Sequence, residues 1–127
     1  DSVHAALGLA EEGVLAGLVT VRGLDLPLDD DPRFEGAMAC ARAMSGWLRC
    51  PVHVTSTNWE AVMPALSGYV GYFMPTVAAQ LLMSRAGGAI AVPSGYAYDR
   101  LTPSVEINPV SDHLLGRPGF PVRHFGA

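Results

Sequence analysis

Residues 14–57, VLAGLVTVRGLDLPLDDDPRFEGAMACARAMSGWLRCPVHVTST, hold the pattern on which the fold turns. The opening part, Val14 to Arg22, is short, β-branched at Val14, Val19, Thr20 and Val21, and closed by Gly23, which predicts a buried strand rather than a helical turn. Leu24, Leu26 and Leu28 then alternate with Asp25, Pro27 and Asp29 in an extended stretch with one apolar face. Asp31-Pro32 predicts a helix start with Asp31 as the cap, because a proline at the first helical position has no N–H to leave unpaired and presets φ. Phe34, Ala37, Met38, Ala41, Met44 and Leu48 recur at three- and four-residue steps, while Glu35, Arg42 and Arg49 follow a neighbouring edge. An amphipathic helix over residues 32–49 is expected, with Asp29, Asp30 and Asp31 compensating its positive end or, alternatively, forming a cation site. Pro51 stops it, and Val52 to Thr57 alternates apolar and polar with heavy β-branching, a second strand.

Outward from this core, Ser2 can cap a helix running to Glu12, with Gly13 as its stop and Gly8 as an interior weakness. Thr57-Asn58-Trp59-Glu60 has capping-box spacing, with Thr57 as the cap. Pro64 interrupts that helix, and Met74-Pro75 begins another through Arg85 to Gly87-Gly88. Ala89 to Val92 reads as a third strand, and Val105-Glu106-Ile107 as one more alternation. Residues 116–127, GRPGFPVRHFGA, form an extended tail whose Phe120 and Phe125 need a groove to lie in, following a single domain over 1–115. Strand, helix, strand, helices, strand predicts a small α/β domain: a short, mainly parallel sheet joined by crossovers and covered by helices. The alternative is a two-layer α+β arrangement with a mixed sheet, which the hairpin-like C-terminal part favours.

Composition narrows the function classes. Among 127 residues, 50% are hydrophobic and 16% charged, against about 25% charged in an average domain, so a core forms and apolar surface is left over for a partner. A net charge of −4 argues against nucleic acid. All eight basic residues are Arg, which suggests a high-GC bacterial gene and removes lysine from every catalytic proposal. Asp1-Ser2-Val3-His4 lacks the features of a secretion signal, so a cytoplasmic location is expected. Ala61 to Ser84 carries no formal charge, but Pro64, Pro75 and Gln80 make two buried helices the better reading than a membrane span. Cys40 and Cys50, about 80° apart around a helix and about 15 Å along it, are expected as free, mostly buried thiols.

In an open α/β sheet, ligands sit beyond the carboxyl ends of the strands. The first strand delivers Arg22 to that edge, the second Thr55, Ser56, Thr57 and Asn58, and the third Ser94. One guanidinium with hydroxyls and an amide suits a small anion, although the same residues also serve as ordinary helix caps. His53, and the adjacent pair Asp112 and His113, are the candidates for acid–base chemistry, His53 alternatively being a structural histidine on the polar side of a strand whose Val52 and Val54 face the core. The histidines His4, His53, His113 and His124 have no zinc-ligand spacing, and neither GxGxxG nor GxxxxGK[ST] occurs, so no metal and no cofactor is expected. Tyr69, Tyr72 and Phe73 form a helical stripe, and Tyr96 and Tyr98 alternate on a strand as a recognition pair. Together these readings favour a non-catalytic binding or assembly domain, partnered by itself or by another protein subunit. The alternative is a small hydrolase or transferase acting on an anionic small molecule.

Overall fold

A computed structural model describes residues 2–62, 73–83, 85, 87–93 and 112–125. Helices and two short parallel two-stranded sheets make an α/β protein, as the alternation of strand and helix patterns requires. The chain divides into two compact units, Ala16–Leu82 and Asp1–Leu15 with Met83–Ala127.

In the Ala16–Leu82 unit, β1 (Leu18–Arg22) leads through α2 (Asp31–Leu48) to β2 (Val52–Ser56), and the strands pair in parallel with Leu18 beside Val52 and Arg22 beside Ser56. The expected helix is present, and Phe34 and Met38 carry its buried face. Its cap is Asp30 rather than Asp31: the Asp30 side chain accepts from the Arg33 N–H at 3.1 Å, which places Pro32 in the first turn and leaves Asp31 for another partner. Arg49 closes the helix in the left-handed region at φ 55°, its N–H donating to the Ser45 carbonyl. A short helix, α3 (Trp59–Val62), follows β2, and α4 (Phe73–Leu82) buries Phe73, Pro75, Val77 and Ala79. The Asn58 carbonyl accepts from the Ala61 and Val62 N–H groups, so the residue at the start of α3 is Asn58, one beyond the expected Thr57. Val54 is 48% exposed and His53 half-buried, so β2 turns opposite to the expected sense. At Gly17 a Cβ would stand 3.2 Å from the His53 ring, so glycine there leaves room for the imidazole. The thiols are free, with Cys50 buried as expected and Cys40 exposed.

In the other unit, α1 (Ser2–Glu11) ends where Gly13 takes φ 71°. The Gly13 N–H donates to Ala10 and the Val14 N–H to Leu9, the paired bonds of a Schellman motif. Val14 is thereby committed to the helix end, which is why β1 begins only at Leu18 and Val14 is 61% exposed. β3 (Ile90–Pro93) pairs in parallel with β4 (Val122–Phe125), Ile90 beside Val122 and Pro93 beside Phe125. Strand β4 lies within residues 116–127, and its approach is set by Arg117-Pro118-Gly119-Phe120, a turn in which Arg117 and Phe120 exchange backbone bonds and Gly119 has φ 79°. Proline followed by a left-handed glycine is the composition of a type II turn. Phe120 and Val122 are buried in their own chain, and a Cβ on Gly8 would stand 2.4 Å from the Phe125 ring. Gly8, a weakness in the helix pattern, is the seat for that phenylalanine. Among the described residues, no helix is long and apolar enough to cross a membrane.

Candidate functional site

Beyond the carboxyl ends of β1 and β2 lies an open cleft of about 190 Å³, lined by Gly23, Pro27, Leu28, Asp29, Thr57, Asn58, Glu60 and Ala61. Its position is the one that parallel-strand topology dictates, where two strand ends, the following loops and a helix start converge. The floor is fixed by backbone. The Thr57 N–H donates to the Arg22 carbonyl at 2.8 Å, extending the ladder by one bond, and the Gly23 N–H donates to the Leu26 carbonyl at 2.8 Å, folding the loop back. Gly23 has φ 89°, and a Cβ there would lie 1.8 Å from the Thr57 carbonyl oxygen, so only glycine permits this closure.

Thr57 and Asn58 therefore line the cleft as the sequence suggests, together with residues that the strand-end reasoning did not single out. Asp29 and Glu60 add two carboxylates, and Pro27, Leu28 and Ala61 supply apolar wall. The signal for this wall was in the loop: a left-handed glycine after a strand, a proline four residues on and three aspartates before a helix enclose space beside the strand ends.

Arg22 is placed otherwise. Its guanidinium donates to the Leu28 carbonyl, pairs with Asp31, and sits 4.8 Å from the Phe34 ring centroid. Only 20% of its side chain is exposed, and its buried Nε makes no hydrogen bond. These contacts clamp the end of β1 to the start of α2 and take up the charge that an anion would need. Thr55 pairs in register with Val21, and the exposed Ser56 with Arg22; neither lines the cleft. His53 pairs with Val19 and lies against Gly17, also away from it.

Asp112 and His113 begin a 3₁₀ turn, Asp112–Leu115, in the other unit, where His113 is exposed. His53 belongs to the Ala16–Leu82 unit and the Asp112–His113 pair to the other. Ser94, Tyr69, Tyr72, Tyr96, Tyr98 and the Val105–Ile107 alternation lie outside the described residues. Among those described, no group of three or more His, Cys, Asp or Glu side chains is placed to hold a metal.

The cleft thus presents two carboxylates, a hydroxyl and an amide against a partly apolar wall, and among the described residues its lining contains no cationic side chain. Such a surface accepts hydrogen bonds and attracts positive charge. No protein-family model matches the chain, and no curated protein or solved structure is significantly similar to it.

Proposed function

We propose that this chain is a non-catalytic binding and assembly domain that associates with itself or with another protein subunit. The observation that carries this reading is the exposed apolar surface: Trp47 is 68% exposed on α2, with Leu82 at 83% and Leu114 at 74%. A single exposed leucine is ordinary, but an exposed tryptophan on a charge-poor helix face is the kind of anchor that protein interfaces bury. A bacterial, cytoplasmic setting accords with the arginine-only basic residues and the two free thiols. Light scattering of the full chain over a range of concentrations tests the reading directly. Mass rising above that of one chain is the expected result, and a monomer throughout that captures no partner subunit counts against it.

The cleft supports small-molecule binding as a secondary role. Asp29 and Glu60 favour a neutral or cationic ligand over an anion, which makes an anion-processing hydrolase or transferase using His53 or His113 the weaker reading. Titrating the protein with a polyamine and with inorganic phosphate separates the two. Binding of the amine, weakened by added salt, is expected, whereas preferential phosphate binding would restore the anion reading.

A further inference from the structure

Helix α2 has a second apolar face. At 100° per residue, Gly36, Cys40, Ala43 and Trp47 fall within about 60° of one another, with Ala39 and Gly46 alongside. All six are exposed, none is charged, and they lie away from the buried Phe34 and Met38. Glycine inside a helix costs stability, and the packing of the described residues gives no reason for it here: among them, a Cβ at Gly36 or Gly46 would meet nothing within 4 Å. Open space at Gly36 and a large exposed ring at Trp47, eleven residues on, are a hole and a knob on one face.

Resting on the assembly reading above, we propose that this face docks on the same face of a second copy, the two α2 helices running antiparallel about a two-fold axis between residues 41 and 42. In that register Trp47 of each copy covers Gly36 of the other, and Cys40 lies opposite Ala43. The charged edge selects the same arrangement. Glu35 of each copy meets Arg49 of the other, giving two symmetric ion pairs, while Arg42 near the axis keeps its own Glu35 at 3.5 Å. A parallel pairing would set Trp47 against Trp47 and Gly36 against Gly36, so shape opposes it. An eighteen-residue helix is only about 27 Å long, and one face of it gives an interface at the small end of the specific range, so micromolar dissociation is expected.

Sedimentation of the full chain from about 1 to about 200 µM reads this equilibrium. Gly36→Leu is the decisive variant, because it fills the hole while improving helix propensity in open space, so the fold is kept and circular dichroism and the urea midpoint check it. We expect Gly36→Leu to weaken the dimer at least about 30-fold. Glu35→Arg should weaken it too, with Glu35→Arg/Arg49→Glu restoring it. With interaxial spacing near 8 Å, the two Cys40 Cα atoms come within about 6 Å, so mild oxidation of Cys50→Ser should trap a disulfide-linked dimer. A dimer that survives Gly36→Leu and Glu35→Arg and yields no Cys40 cross-link overturns this surface and leaves assembly standing. A wild-type monomer at every concentration overturns this surface and self-association, and leaves only assembly with a different subunit.

Discussion

The described residues form two parallel strand pairs, and they are secured by opposite means. The β1–β2 pair is half-buried along all of β1 and depends on what brackets it: α2 across one connection, the Arg22 clamp, and the Gly23 closure beneath Thr57. The β3–β4 pair is secured by its own side chains, with Ile90, Val92 and Val122 buried and Phe125 seated on Gly8 of α1. A two-stranded sheet is marginal alone, so each needs help from outside its ladder. One takes it from loop and helix-end chemistry, which leaves a cleft at the strand ends. The other takes it from packing. A site that binds something is expected where the strand ends are held by backbone geometry and polar contacts rather than filled with apolar side chains.

The sharpest way to break the first arrangement is Gly23→Ala. The added methyl meets the Thr57 carbonyl and forces an L-residue to φ 89°, so a loss of at least about 3 kcal/mol is expected in urea denaturation, together with loss of any ligand binding in the cleft. A change below about 1 kcal/mol would mean the closure is not required. For the packed pair the counterpart is Ile90→Ala. Ile90 is 2% exposed, and truncation should cost about 3 kcal/mol through lost burial and the cavity left behind. If the arrangements differ as described, Ile90→Ala leaves cleft binding measurable in protein that remains folded, and abolished binding there would show that the two pairs do not act separately.

A subtler contrast tests the seat beneath Phe125. Gly8→Ala improves helix propensity by about 1 kcal/mol but pushes its methyl into the ring, so in the wild-type background a net loss of about 1 kcal/mol is expected. With Phe125→Ala the ring is gone, and the same substitution should become stabilising by up to about 1 kcal/mol. A thermal-denaturation cycle over the four proteins measures the sign change, and equal effects in both backgrounds would remove Phe125 as the reason for Gly8.

How far the sequence could be read follows the same division. Helix α2, both flanking strands and their parallel pairing were legible because period, proline and cap signals are local. At the cleft, Thr57 and Asn58 were legible as strand-end residues, whereas Asp29 read as a helix-end charge or a cation site, Glu60 as a capping-box partner and Arg22 as an anion donor. What claims Arg22 is Asp31, brought near by the way the loop folds back at Gly23, and spacing alone does not reveal that. Strand β4 was hidden for a related reason. GRPGFPVRHF is broken by glycine and proline, and its strand is held by pairing with β3, about thirty residues earlier, and by Gly8 near the other end of the chain. Which side of β2 is covered was not legible, because alternation fixes which residues share a face but not which face is packed.

The smallest effect separates two neighbouring aspartates at the mouth of the β1–β2 arrangement. Asp30 accepts from the Arg33 N–H and lies 3.4 Å from its side-chain Nε, so it satisfies one orphan donor of α2 and adds negative charge at the positive end of the helix. Asp30→Ala should therefore cost about 1 kcal/mol, while Asp30→Asn, which keeps the acceptor, should retain most of that. Asp31 has a different task. Its carboxylate is 79% exposed, and an ion pair so open to water contributes about 0.5 kcal/mol or less, diminishing as salt is added. Asp31→Ala should consequently be the milder of the two in urea denaturation at low salt, and the gap should widen at high salt because the Asp31 contribution is wholly electrostatic whereas the Asp30 cap hydrogen bond is not screened. Equal losses at both positions, or a larger loss at Asp31, would move the cap back to Asp31 and leave the Arg22 clamp without its second anchor.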